Sequence, residues 1–180
     1  FAINQYTITF VTNGGSAIEA ITADYNTAIS AISNPTKTGY KFAGWDKEIP
    51  ANMPANDLTI TANWTANTYF VEFNVNTTEF AGSMLDQEFT YDSNEALSLN
   101  GYAKVGYTFL GWATSQEGSV VYTNGQSVEN LTTVDGQTIT LYAVWDANAY
   151  TIKLDNEGTV SVLDATYDVA LTLPTPTKVG

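Results

Sequence analysis

A seven-residue motif occurs twice in this chain, and its recurrence constrains the fold more than any other feature. Gly39-Tyr40-Lys41-Phe42-Ala43-Gly44-Trp45 returns 67 residues later as Gly106-Tyr107-Thr108-Phe109-Leu110-Gly111-Trp112. A second pair, Leu58-Thr59-Ile60-Thr61-Ala62-Asn63-Trp64 and Ile139-Thr140-Leu141-Tyr142-Ala143-Val144-Trp145, is offset by 81. The difference of 14 places an insertion in the second copy, within the polar stretch 113–137. Trp64-Thr65-Ala66-Asn67-Thr68-Tyr69 also matches Trp145-Asp146-Ala147-Asn148-Ala149-Tyr150, and Phe1-Ala2-Ile3-Asn4-Gln5-Tyr6 fits the same frame. Self-similarity of this kind reads as a tandem array. The expected modules are 1–66, 67–147 and a truncated third, 148–180, which stops where Pro176-Thr177-Lys178-Val179-Gly180 matches Pro35-Thr36-Lys37-Thr38-Gly39.

Each start leads into a segment that alternates with period two, the pattern of a half-buried strand: Tyr6-Thr7-Ile8-Thr9-Phe10, Tyr69-Phe70-Val71-Glu72-Phe73 and Tyr150-Thr151-Ile152-Lys153-Leu154. Asn13-Gly14-Gly15 supplies turn residues, so Ile18-Glu19-Ala20-Ile21-Thr22 is expected to return as a hairpin, with Gly158 to Leu163 doing so in the third copy. The second copy carries Asn74-Val75-Asn76-Thr77-Thr78 in the turn position. Tyr25 to Ile32, Ser93 to Leu97 and Asp168 to Leu173 leave room for one or two helical turns at most, since Asn34-Pro35 would stop the first. The fold class is therefore α+β and β-dominated, with at most a short helix in each module.

Composition narrows function by exclusion. The six basic residues are all lysine, against 19 acidic ones, for a net charge of −13, and there is no Arg, His or Cys. Imidazole bases and ligands, thiolate zinc sites, cysteine nucleophiles and disulfides are thereby removed. So is the basic footprint that nucleic acid or an anionic membrane requires. At 44% hydrophobic and 13% aromatic, the chain is too apolar for a disordered acidic tail. No run approaches the roughly 20 apolar residues of a membrane-spanning helix. It opens on Phe1 rather than Met, which suggests a piece of a longer protein.

Strict alternation through the seven-residue motif would put Tyr40, Phe42 and Gly44 on one face and Lys41, Ala43 and Trp45 on the other, with Tyr107, Phe109, Gly111 and Trp112 following suit. All four tryptophans, Trp45, Trp64, Trp112 and Trp145, fall at repeat anchors. Rings spaced so regularly read as core, with a sugar-stacking surface as the sharper alternative. The i, i+2 carboxylate pairs Asp46/Glu48, Asp86/Glu88 and Asp155/Glu157 do not recur between copies and sit in turn-like sequence. A solvated face explains them better than the close, burial-shifted pair of a retaining glycosidase. Asp155-Asn156-Glu157-Gly158 has calcium-type oxygens without the twelve-residue calcium frame, and reads as an acidic turn. No catalytic residue, cofactor site or metal site is assigned.

The ordered set of Tyr-x-Ile-x-Phe, Asn-Gly-Gly, Pro-Thr-Lys-x-Gly-Tyr-x-Phe-x-Gly-Trp and Leu-Tyr-Ala-x-Trp resembles the Listeria–Bacteroides repeat, the module of internalin B-repeats, over essentially the whole chain. The resemblance implies small β-grasp-like modules in tandem in bacterial cell-surface or secreted proteins, without catalytic residues. It implies a spacer or stalk that holds other domains of the same protein away from the surface and contributes to adhesion. The alternative it leaves open is an adhesin module that binds a host or neighbour-cell protein or glycan through exposed aromatics, chiefly Tyr122 of the inserted segment. Only four residues separate Trp64 from Tyr69 and Trp145 from Tyr150, and linkers so short, without Gly or Pro, restrict swinging. A module of this size would be roughly 30 Å across. The half-module 150–180 should bury too little to stand alone, and so either lean on the second module or exchange strands.

Overall fold

The structure, a computed structural model, describes residues 4–156 and 158–176. In chain order the strands are β1 (Gln5–Val11), β2 (Ile21–Asp24), β3 (Tyr40–Trp45), β4 (Leu58–Ala66), β5 (Thr68–Asn74), β6 (Ala81–Gly82) and β7 (Gln87–Thr90). They continue as β8 (Glu95–Ala96), β9 (Tyr102–Ala103), β10 (Tyr107–Ala113), β11 (Ser127–Val128), β12 (Thr138–Ala147), β13 (Ala149–Asn156) and β14 (Thr159–Thr166). The chain divides into two compact units. One holds the described residues through Phe70 with Glu88–Glu95 and Val128–Ile139; the other holds Val71–Gln87, Ala96–Ser127 and the described residues from Thr140 on.

The first four-stranded sheet has the order β2-β1-β4-β3. Its central pair is parallel, Ile8 facing Leu58 and Phe10 facing Ile60, and both outer pairs are antiparallel. The strands at the matching repeat positions, β7-β5-β12-β10, form the second sheet in the same order. In the third copy β13 and β14 make a plain hairpin, Ala149 opposite Thr166 through Asn156 opposite Thr159. Alternation in β1 is as expected: Ile8 and Phe10 are buried and Thr9 is exposed. With Met53 and Ile60 they form a core against which Ile21, Ile29, Trp45 and Leu58 pack. Each such aliphatic or aromatic side chain contributes about 1.5–3 kcal/mol when fully buried.

Among the described residues there is no helix, so the fold is β-dominated and the α part of the expected α+β class is not present. The reason is visible at Tyr25 to Ile32. Asn26 has a left-handed φ of 67°, which interrupts a right-handed turn. The backbone donors of Asn26 and Ile29 go to the carbonyls of Met53 and Ala51, and Ala28 bridges Asn52. The segment is tied to extended chain, leaving those groups unavailable to a helix. In the second copy the matching stretch contributes β8, and the described residues after Asp168 hold no regular element.

Two further expectations are corrected. The strand that pairs with β1 is Ile21–Asp24 rather than Ile18 to Thr22. Asn13 (φ 48°) and Gly14 (φ 85°) do turn the chain, but Ser16 then bonds Thr36, which delays the return. Alternation also fails inside the seven-residue motif. The register against β4 shifts between Phe42 and Gly44, and against β12 between Phe109 and Gly111. Such a bulge leaves Ala43 or Leu110 as the extra residue and returns the following tryptophan to the phenylalanine's side. Phe42 and Trp45 rings lie 5.2 Å apart, and Phe109 and Trp112 rings 4.9 Å apart.

The second copy's turn works without Gly-Gly. Asn76 (φ 57°) donates through Nδ2 to the Ala143 carbonyl, as Asn13 does to Ala62. Trp145 and Trp64 donate their indole N–H to the carbonyls of Val75 and Thr12, both at 2.9 Å.

Trp112 is fully buried, whereas Trp45, Trp64 and Trp145 are half-buried. The inserted segment accounts for the difference between Trp112 and Trp45: Val121 and Tyr122 donate to the Trp112 carbonyl, and Trp112 N–H donates to Tyr122. Trp112→Ala should therefore cost about 3–5 kcal/mol in urea unfolding, and Trp45→Ala less. Equal losses would show that the insertion does not shield this site.

Candidate functional site

The residues that recur most closely in three dimensions meet where one sequence copy passes into the next. Lys37-Thr38-Gly39-Tyr40 is a tight turn, closed by Tyr40 N–H donating to the Lys37 carbonyl at 3.1 Å. Gly39 has φ 75°, the left-handed value that the third residue of a type II turn requires. Lys104 to Tyr107 repeats the turn at 3.2 Å, with Gly106 also at φ 75°. The ammonium of Lys37 lies 3.9 Å from the Tyr40 ring centre, and that of Lys104 lies 3.6 Å from Tyr107. Exposed cation–ring contacts of this kind give about 0.5–1 kcal/mol.

The next copy grips this turn. Asn67 N–H donates to the Gly39 carbonyl at 2.9 Å, and Tyr91 N–H donates to the Asn67 carbonyl at 2.9 Å. The Tyr91 ring lies on Gly39 so closely that a Cβ there would meet it at 2.2 Å, and it sits edge-on to Tyr40 at 5.7 Å. Tyr40 then donates its hydroxyl to Asp92 Oδ2 at 2.7 Å. Asp92 is held at φ 60°, with Asn130 accepting from its N–H and donating to its Oδ1. We call this arrangement a clasp.

The second clasp has the same parts. Asn148 N–H donates to Gly106 and Tyr167 N–H to Asn148, at 2.8 and 3.0 Å. Tyr167 covers Gly106, where a Cβ would meet it at 2.3 Å, and is edge-on to Tyr107 at 5.7 Å. Tyr107 donates to Asp168 Oδ2 at 3.1 Å. The segment that follows β14 is in this way held to the Lys104–Tyr107 turn.

The end of the insertion reinforces only the first clasp. Asn67 Nδ2 donates to the Thr133 carbonyl, Gly136 N–H donates to Thr68, and Asp135 accepts from Thr68 N–H and pairs with Lys41 at 2.6 Å. That ion pair is exposed and worth at most about 1 kcal/mol. Tyr122, the aromatic expected to offer a binding surface, is half-buried and bridged to Trp112.

Electrostatics favour an uncharged tyrosine against a charged aspartate. The Tyr40 hydroxyl lowers the pKa of Asp92, helped by Asn130 and Lys37, while the Asp92 hydrogen bond raises that of Tyr40. Bonding to Asp168 raises Tyr107 likewise. Asp135 is lowered, chiefly by Lys41. A general acid needs the opposite shift. Among the described residues no three acidic side chains gather to hold a metal. Asp155 Oδ1 accepts from Gly158 N–H at 2.8 Å.

Of the motif residues singled out from sequence, Tyr40 and Tyr107 join the clasps. Gly44 and Gly111 form the bulges, while Phe42, Trp45, Trp64, Phe109, Trp112 and Trp145 pack within the repeats. Sequence reasoning passed over Tyr91, Asp92, Tyr167 and Asp168. Aligning Tyr25-Asn26, Tyr91-Asp92 and Tyr167-Asp168 across the copies would have exposed them.

A repeated sheet order and a repeated clasp define a tandem β-repeat protein. The repeats match the Listeria-Bacteroides repeat domain over residues 6–67 and 69–144. The chain belongs to that family. It is 31% identical over 157 residues to a protein of Evansella cellulosilytica named as a membrane protein, covering 81% of this chain and 23% of that one. A second protein of that organism, named as Gly-rich and membrane, is 29% identical over 97% of this chain and 20% of its own length. Internalin H of Listeria monocytogenes is 32% identical over 63% of this chain and 21% of its own. The chain thus spans less than a quarter of each relative's length. Among the described residues no helix is long and apolar enough to cross a membrane.

Gly39→Ala is expected to cost about 1–3 kcal/mol in backbone strain alone. It should also displace Tyr91, read as increased labelling of that ring. The first clasp should persist between the ordinary carboxylate and tyrosine ranges. Asp92's contribution is present above its unfolded pKa and is lost as pH falls through its lowered folded value. Tyr40's is present below its unfolded pKa and is lost as pH rises through its raised folded value. NMR shifts of the Tyr91 ring followed from acid to alkali should show both losses; a flat profile would count against this electrostatic account.

Proposed function

We propose that the chain is a non-catalytic spacer, part of a stalk in a bacterial cell-surface or secreted protein, built from modules 1–66, 67–147 and 148–180. The observation that carries this reading is the clasp, formed twice from the same residue types. A binding site would need one exposed constellation; a spacer needs the same joint at every boundary. Membership in the repeat family and the likeness to Internalin H support an extracellular setting. The adhesin alternative is weakened by the engagement of Tyr122. The module reads as a helix-free derivative of the β-grasp, supported by the mixed sheet with a parallel central pair. Partners on this reading are the other domains of the same protein. A stalk that also contributes to adhesion would do so through those domains.

Stiffness is the testable property. Small-angle scattering of the 180-residue chain should fit a single arrangement of its modules. Asp92→Ala with Asp168→Ala should broaden the distribution while leaving the circular dichroism of the sheets unchanged. A wild-type profile that already requires a broad ensemble would defeat the spacer reading.

A further inference from the structure

We propose that the exposed Tyr25 face of the first repeat is an empty clasp seat, shaped to receive the lysine–glycine–tyrosine turn of another repeat of this kind. The seat is already built. Thr27 N–H donates to the Asp24 carbonyl at 3.1 Å, as Ser93 does to Thr90 at 3.1 Å and Val169 to Thr166 at 3.2 Å. The third residue of each turn is left-handed: Asn26 at 67°, Asp92 at 60° and Asp168 at 57°. Tyr25 N–H donates to the Asn4 carbonyl at 3.0 Å, the bond that ties Tyr91 to Asn67 and Tyr167 to Asn148. Asn52 Nδ2 steadies Asn26 Oδ1 at 3.0 Å, as Asn130 steadies Asp92.

What differs is the occupancy. Tyr91 and Tyr167 lie over Gly39 and Gly106 and are half-buried, whereas Tyr25 is 56% exposed. A ring this exposed, on a turn held in the docked conformation, has its ordering entropy largely met before binding. The occupant follows from the two filled seats: a left-handed glycine under the ring, its carbonyl toward Asn4 N–H, and a tyrosine hydroxyl reaching residue 26. Asn26 offers a neutral amide oxygen in place of the carboxylate of Asp92 and Asp168. The hydroxyl would therefore make an ordinary hydrogen bond here rather than a charge-assisted one, and this joint should be the softer of the three.

The inference rests on the clasp reading above, and the experiment separates the two. Residues 1–66 are placed directly ahead of Asn4 of the full chain, with Tyr25→Phe in the added copy so that the original Tyr25 reports alone. Hydroxyl-radical labelling with peptide mapping then compares tyrosines in the original chain and in an extended chain of matching per-residue circular dichroism. Labelling of Tyr25 should exceed that of Tyr91 and Tyr167 in the original chain and fall to their level in the extended one. Tyr25 that stays reactive while Tyr91 and Tyr167 remain protected overturns the seat and spares the clasp. All three equally reactive in the original chain would overturn both.

Discussion

A tyrosine ring resting on a glycine is the contact on which the joints depend. Two demands fall on Gly39 at once: the turn needs a left-handed backbone, and the Tyr91 ring needs the space where a side chain would stand. Glycine alone meets both. With the ring seated, the Gly39 carbonyl faces Asn67 N–H and the Tyr40 hydroxyl comes within reach of Asp92. Gly106, Tyr167, Asn148 and Asp168 repeat the chain of consequences. The hydrogen bonds are individually modest and exposed; the close backbone-to-ring approach is what aligns them.

Glycine serves a different end inside the strands. Gly44 and Gly111 take positive φ at a bulge, re-aiming Trp45 and Trp112 toward the phenylalanine two residues before the glycine. The two sites then diverge. A Cβ at Gly44 would meet open space, whereas at Gly111 it would meet the Tyr122 carbonyl at 2.6 Å. The insertion thus has two structural uses in separate places: residues near Tyr122 cover Trp112, and residues near Asp135 bind the Asn67 linker.

The strands were legible because their alternation was regular: Ile8 and Phe10 are buried as period two demands. The repeats were legible because seven residues recur in order. The bulge was not, since period-two counting has no term for an extra residue, and Gly44 alone does not announce which residue is squeezed out. The missing helix was not either. Ile29 and Ile32 have helical spacing, yet the loop residues Ala51 and Met53, more than twenty positions on, take the backbone bonds of Ile29 and Asn26. The clasp was half visible. Lysines stand at 37, 104 and 178, one repeat position taking half of all six in an acidic chain, and Asn67 and Asn148 stood in the junction motif. Their meaning depended on knowing which tyrosine faces which glycine, which is a fact of tertiary structure.

Because the second copy seats Tyr91 on the turn behind it and offers its own Gly106 turn to Tyr167 ahead, the contact is heterologous, a patch of one kind meeting a patch of another. A copy that keeps both parts can therefore follow another that keeps them. Recombination that deletes or duplicates one whole repeat leaves matching halves on either side of the scar, and the joint re-forms. Length becomes a heritable variable that changes in whole steps without a new interface having to evolve. A gene built this way can lengthen or shorten its product while keeping each boundary intact.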